Sequence, residues 1–69
     1  MKKYKGIVKW FDKEKGYGFI QYKNKNIYVH KTQLVNSNSL VDGEYVEFEP
    51  VQTLQGYKAK NVVTSTIAL

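Results

Sequence analysis

Cysteine and arginine are both absent, proline and histidine occur once each, and no long apolar run interrupts the 69 residues. Each absence closes a route. Without cysteine no disulfide can staple so short a chain, and one histidine alone cannot supply the ligands of a structural zinc site. The lack of cysteine fits a reducing cytoplasm. No segment approaches membrane-spanning length, and Met1-Lys2-Lys3-Tyr4-Lys5 leads into no signal-peptide hydrophobic region, so a soluble cytoplasmic protein with no membrane association is expected. There is no nucleophile–base–orienter set, no paired carboxylates and no phosphate-cradling glycine loop opening a helix. The expectation is therefore no enzyme, no cofactor, no metal and no small-molecule substrate. A chain of this length has room for one core, so residues 1–69 are read as a single domain.

What is present is charge of one sign, unevenly placed. The net charge is +5, and all eleven basic residues are lysine. Residues 1–35 carry nine lysines against Asp12 and Glu14, a balance of +7, while residues 36–69 come to −2. The first half is an electrostatic footprint for a polyanion. A lysine is a mobile point charge, whereas arginine offers the planar fork that reads guanine edges. Backbone attraction with weak sequence preference is expected.

Helical periodicity is poor, and β-branched and aromatic residues abound. Five short strands are predicted: Tyr4 to Phe11, Tyr17 to Tyr22, Ile27 to His30, Glu44 to Glu49, and about Tyr57 to Val63. The turn Asp12-Lys13-Glu14-Lys15-Gly16 ends the first strand, and the loop Lys23-Asn24-Lys25-Asn26 precedes the third. A connection from Lys31 to Gly43 follows, most loop-like at Asn36-Ser37-Asn38-Ser39, and Asp42-Gly43 is a turn signal. Pro50 is expected to end the fourth strand or sit on an edge. Five short strands cannot cover both faces of a flat sheet, so the expected fold is all-β, a sheet curled into a small closed barrel.

Within the second and third strands, a period of two puts Tyr17 and Phe19 on one face and Tyr28 and His30 on another. The alternate positions Ile20, Ile27 and Val29 are aliphatic and suit a core. Buried aromatics are the commoner fate of such rings, but here that would turn three aliphatic residues to water. Outward rings among lysines suit unpaired nucleic acid, rings for bases and ammonium groups for phosphates. Each stacked ring is worth about 1–3 kcal/mol per base. His30 adds a third platform or a hydrogen-bond donor, and its charge would make binding mildly pH-sensitive. Lys9 and Lys15 flank the rings and are the phosphate candidates; Lys2, Lys3 and Lys13 add general field.

Lys9-Trp10-Phe11-Asp12, Lys15-Gly16-Tyr17-Gly18-Phe19-Ile20 and Ile27-Tyr28-Val29-His30 resemble the cold-shock domain segment for segment, the last two looking like its ribonucleoprotein motifs. Asp42-Gly43 and Ala59-Lys60-Asn61-Val62 resemble its later turn and last strand. The likeness implies a five-stranded antiparallel OB-fold β-barrel that binds single-stranded DNA and RNA, as an RNA chaperone or transcription antiterminator. It also implies that Trp10 faces the ligand. Strict alternation would instead put Trp10 inside with Val8, so the likeness requires a bulge or a sharp bend near Lys9. Phe11 is then divided between core and rim.

Three positions depart from the family pattern. Lys31 stands where a phenylalanine often follows the motif histidine, and the middle connection Val35-Asn36-Ser37-Asn38-Ser39 lacks its usual aromatic. Two platforms are thus missing, together worth about 2–6 kcal/mol before non-additivity. Lys31 returns some affinity as charge, with greater salt dependence. Tyr57 occupies the place of a glycine–proline pair and is either a substitute platform or rim packing. The site candidates are Lys9, Trp10, Lys15, Tyr17, Phe19, Tyr28, His30 and Lys31, with Phe11, Tyr57 and Lys60 as secondary members. Two other readings stand beside this one: an SH3-like barrel binding proline-rich peptides, and a ribosome- or translation-associated OB module. A monomer is expected, with a paired or swapped dimer open.

Overall fold

The computed structural model describes residues 3–37 and 39–64. Lys2, expected to add to the general field, and Asn38 of the middle connection lie outside the described residues. Five strands are present: β1 (Tyr4–Asp12), β2 (Tyr17–Tyr22), β3 (Lys25–His30), β4 (Tyr45–Thr53) and β5 (Gly56–Thr64). One 3-10 turn, Lys31–Gln33, follows β3. The strands close in the order β1-β2-β3-β5-β4. This is the five-stranded OB-type barrel the sequence predicts, with one qualification. Four of the five contacts are antiparallel, but β3 meets β5 in parallel, through Tyr28 and Lys58.

The barrel interior follows from alternation. Val8, Ile20, Ile27, Val29, Val46, Phe48, Ala59 and Val62 point inward and are almost wholly buried, with Leu40 of the middle connection added to them. Fully burying such side chains stabilises by about 1.5–3 kcal/mol each, the main favourable term for so small a fold. Two bulges break the period of two. The β1–β2 register runs Val8 with Ile20 and then Trp10 with Phe19, which leaves Lys9 as the extra residue. The β4–β5 register runs Glu47 with Val63 and then Glu49 with Lys60, so β5 holds the extra residue there. Asn61 takes a left-handed φ of 51° at that bulge and donates from Nδ2 to Glu49 Oε2 at 3.1 Å. Ala59 and Val62, three apart, thereby both face the core.

Most strand ends fall within a residue of expectation, and two depart further. β3 starts at Lys25 because Lys25 pairs with Tyr22 and Asn26 with Gln21, closing a tight turn in which Lys23 adopts a φ of 55°. β4 does not stop at Pro50; it continues to Thr53, with Pro50 opposite Ala59. The physical reason is that β1 accompanies β4 only as far as Phe48, so beyond it β4 has one partner and a residue lacking an N–H is tolerated. The Asp42-Gly43 turn forms as expected, with Gly43 donating to the Val8 carbonyl at 2.8 Å and Val8 donating to Glu44 at 2.8 Å. The middle connection is tied to β5 through Val35 N–H to the Val62 carbonyl and Thr64 N–H to Asn36 Oδ1.

Gly18 faces the point where the β1 bulge presses closest on β2. A Cβ there would meet the Trp10 carbonyl oxygen and lie 2.6 Å from Phe11 Cα, both backbone atoms that cannot swing aside. Gly18→Ala should therefore destabilise the fold by about 1–3 kcal/mol. The measurement is the urea unfolding midpoint; an unchanged midpoint would mean that β1 yields there at no cost.

Candidate nucleic-acid interface

The face that carries the rings is built by strand register. Pairing sets Tyr17 opposite His30 and Phe19 opposite Tyr28 on the outer side of β2–β3, while Ile20, Ile27 and Val29 sit inside at 0–1% exposure. The Lys9 bulge then turns Trp10 outward, 37% exposed, opposite Phe19. The four rings form one continuous cluster. Trp10 lies 5.6 Å from Tyr17 and 5.4 Å from Phe19, both edge to face, and Tyr28 lies 5.9 Å from each of those two, stacked on Tyr17 at 28°. Such offset and edge-on packing holds each ring in place by its neighbours. Rings already ordered in this way would lose little entropy on meeting a flat ligand.

His30 extends the row and is fixed by the turn that follows it. Its Nδ1 accepts the Thr32 N–H at 3.2 Å and stands 3.0 Å from Thr32 Oγ1. With Nδ1 accepting the backbone N–H, the neutral ring carries its proton on Nε2, which becomes the donor.

Around the rings, Lys9, Lys15 and Lys31 are exposed. Lys15 is carried by a turn that Asp12 organises: Asp12 Oδ1 accepts the N–H of Glu14 at 2.9 Å and of Lys15 at 3.0 Å, and its carbonyl accepts the Gly16 N–H at 2.7 Å. Lys31 donates its backbone N–H to the Gly16 carbonyl at 2.9 Å and lays its stem over that glycine, which takes a φ of 78°. The backbone segments that carry Lys15 and Lys31 are thereby tied together at Gly16. The single ion pair among the described residues is Lys5–Glu47 at 3.9 Å, on β1–β4. Lys9, Lys15 and Lys31 are not neutralised by carboxylates among those residues.

The secondary candidates divide. Phe11 is half-buried against the core and takes no part in the ring cluster. Tyr57 also packs on the core, yet it lines a groove together with Phe19, Asn26, Tyr28, Gln55 and Lys58. Rim packing and a place beside the rings therefore coexist. Lys60 is exposed on the outer side of β5, paired with Glu49 in register. Lys58, Asn26 and Gln55 were not among the sequence candidates. Lys58 is brought to Tyr28 by the β3–β5 pairing, a long-range contact without a local signature. Among the described residues no cluster of three metal-ligating side chains exists, and no helix is long and apolar enough to cross a membrane.

A small β-barrel with an outward aromatic row among unpaired lysines defines a nucleic-acid-binding module. Comparison with known proteins makes the assignment specific. The "'Cold-shock' DNA-binding domain" family matches residues 4–65. The chain is 44% identical over 63 residues to the cold shock-like protein of Aquifex aeolicus, covering 86% of this chain and 90% of that protein. It is 45% identical over 62 residues to cold shock protein CspB of Geobacillus stearothermophilus, covering 86% and 94%. It is 44% identical over 61 residues to CspA of Staphylococcus aureus, covering 84% and 92%. Drosophila Unr CSD456 shares the fold with a TM-score of 0.75 at 16% identity, over 97% of this chain and 29% of that longer one. The chain belongs to the cold-shock domain family, whose members bind nucleic acid and are not enzymes.

Asp12 is the side chain that shapes the Lys15 turn, and its place in the register is opposite Tyr17. Asp12→Ala should lower stability by about 1 kcal/mol. The check is thermal unfolding at constant salt; no change in midpoint would assign the turn to its backbone bonds alone.

Proposed function

We propose that the chain is a single domain that holds single-stranded DNA and RNA, unpaired bases on Trp10, Tyr17, Phe19 and Tyr28 and phosphates near Lys9, Lys15 and Lys31. The observation that carries this reading is the continuous cluster of four outward rings with the aliphatic alternates buried beneath it. His30 adds an edge donor through Nε2, and Tyr57 with Lys58 extends the row past Tyr28 in place of the aromatics that the middle connection lacks. Phe11 packs against the core, and Lys60 contributes field.

Stacking accepts any base, because every base has a π-face, and lysines attract phosphates without reading edges. Low sequence preference follows. A protein that binds the open strand and not the paired one shifts the equilibrium of a weak hairpin toward opening, with no need of ATP. This is the physical content of an RNA chaperone or antiterminator, and it requires only a monomer. A cysteine-free chain of this kind suits the reducing cytoplasm.

Titration of Trp10 fluorescence with heptathymidine and with a duplex of equal length tests the reading. Quenching by the single strand and weak response to the duplex is expected; equal affinity for both would contradict stacking. Phe19→Ala should weaken heptathymidine binding by about 1–3 kcal/mol, the worth of one stacked base. Affinity should also fall with salt: three phosphate contacts give a log–log slope of about −2, and Lys31→Gln should reduce its magnitude by about 0.7. A slope near zero would point to a peptide groove instead.

A further inference from the structure

One end of the barrel is not sealed. Tyr4, Tyr22, Lys25, Ile27, Pro50 and Tyr57 line a cavity of about 170 Å³ there. All six hold inward-phase positions, two residues beyond the buried Gly6, Ile20, Phe48 and Ala59 or within the Lys25-Ile27-Val29 series. One wall is aromatic and firm: Tyr4 meets Tyr22 edge to face at 5.0 Å, and Tyr22 meets Phe48 at 5.9 Å. Tyr57 supplies another, with Pro50 and Ile27 adding flat apolar surface. Two exposed lysines stand over these rings, Lys25 Nζ 4.7 Å from the Tyr57 centroid and Lys23 Nζ 5.4 Å from that of Tyr22. No carboxylate lines the cavity.

Tyr57 also lines the groove that holds Phe19, Tyr28 and Lys58. The cavity thus shares one wall, Tyr57, with the groove beside the ring face, although it lies at the barrel end and not on the outer sheet. Its lining repeats the chemistry of that face, flat apolar walls for a base and ammonium groups for the adjoining phosphate.

We propose that this cavity receives one further unpaired base of the strand held on the ring face, with Lys25 leaving the Tyr57 ring to meet its phosphate. The proposal rests on the single-strand reading above. It lengthens the footprint by one nucleotide past Tyr57 and gives Tyr4 and Tyr22, which take no part in the ring cluster, a role in binding.

The test compares tetrathymidine, long enough for the four clustered rings alone, with heptathymidine, which also spans Tyr57 and the cavity. Heptathymidine should shift the Tyr4 and Tyr22 ring proton resonances, and tetrathymidine should leave them in place. Lys25→Gln and Tyr22→Leu should each lower heptathymidine affinity about fivefold, the lower bound for one stacked base, and leave tetrathymidine affinity unchanged. Lys25 is exposed, so its variant keeps the test valid if Tyr22→Leu fails to fold. Unshifted Tyr4 and Tyr22 resonances at saturating heptathymidine overturn the proposal. So does a Lys25→Gln loss that is equal for both lengths, which marks general field alone. If neither oligomer quenches Trp10, the ring-face reading itself falls and takes the proposal with it.

Discussion

The backbone contact between the β1 bulge and Gly18 is the constraint on which the ring face depends. A residue with a side chain at position 18 would meet the Trp10 carbonyl and the Phe11 Cα, so β1 could not press against β2 at that point. With glycine there, Lys9 is the supernumerary residue, Trp10 swings outward beside Phe19, and Phe11 turns back toward the core. A regular strand would leave Trp10 in the barrel interior, where Val8 and Ile20 already fill the space. The bulge thus separates a large ring from the core and delivers it to the surface in one step.

The surface that results is stabilised by its own members. Four rings in mutual contact shield one another's edges and keep their order without a ligand, at the cost of apolar area left in water. The lysines around them stand on loops fixed by short-range bonds: the Asp12 carboxylate for Lys15, and the Gly16 carbonyl for Lys31. Charge of one sign is therefore concentrated on the β1–β3 side, while Glu47 and Glu49 lie on β4 and engage Lys5 and Asn61. On the proposed reading, such a division would orient an approaching polyanion before any ring touches a base.

Much of this was legible in the residues, because β2 and β3 alternate strictly and their buried and outward sets follow from a period of two. Tyr17, Phe19, Tyr28 and His30 could be placed for that reason, and the barrel follows from the lack of any other way to bury five short strands. The orientation of Trp10 was not legible from periodicity, since a bulge is decided by the glycine on the neighbouring strand and only the family likeness pointed to it. The second bulge, at Asn61, has the same character: it places both Ala59 and Val62 inward, against alternation. Pro50 met the second of its two expectations, a place on an edge, but the end of β4 was set too early because an edge depends on how far β1 extends beside β4. Lys58 was missed because its neighbour Tyr28 lies thirty residues away in a parallel pairing. Local pattern reveals faces; long-range register reveals which faces meet.

The central claim is that bases rest on the ring cluster that the bulge completes. Intermolecular nuclear Overhauser contacts between an oligothymidine and the protein test it most directly. Contacts from thymine methyl and base protons to the ring protons of Trp10, Tyr17, Phe19 and Tyr28 are the predicted result. Contacts confined to the exposed Ile7 and Tyr45 on the β1–β4 side, with the four rings unperturbed, would contradict the account.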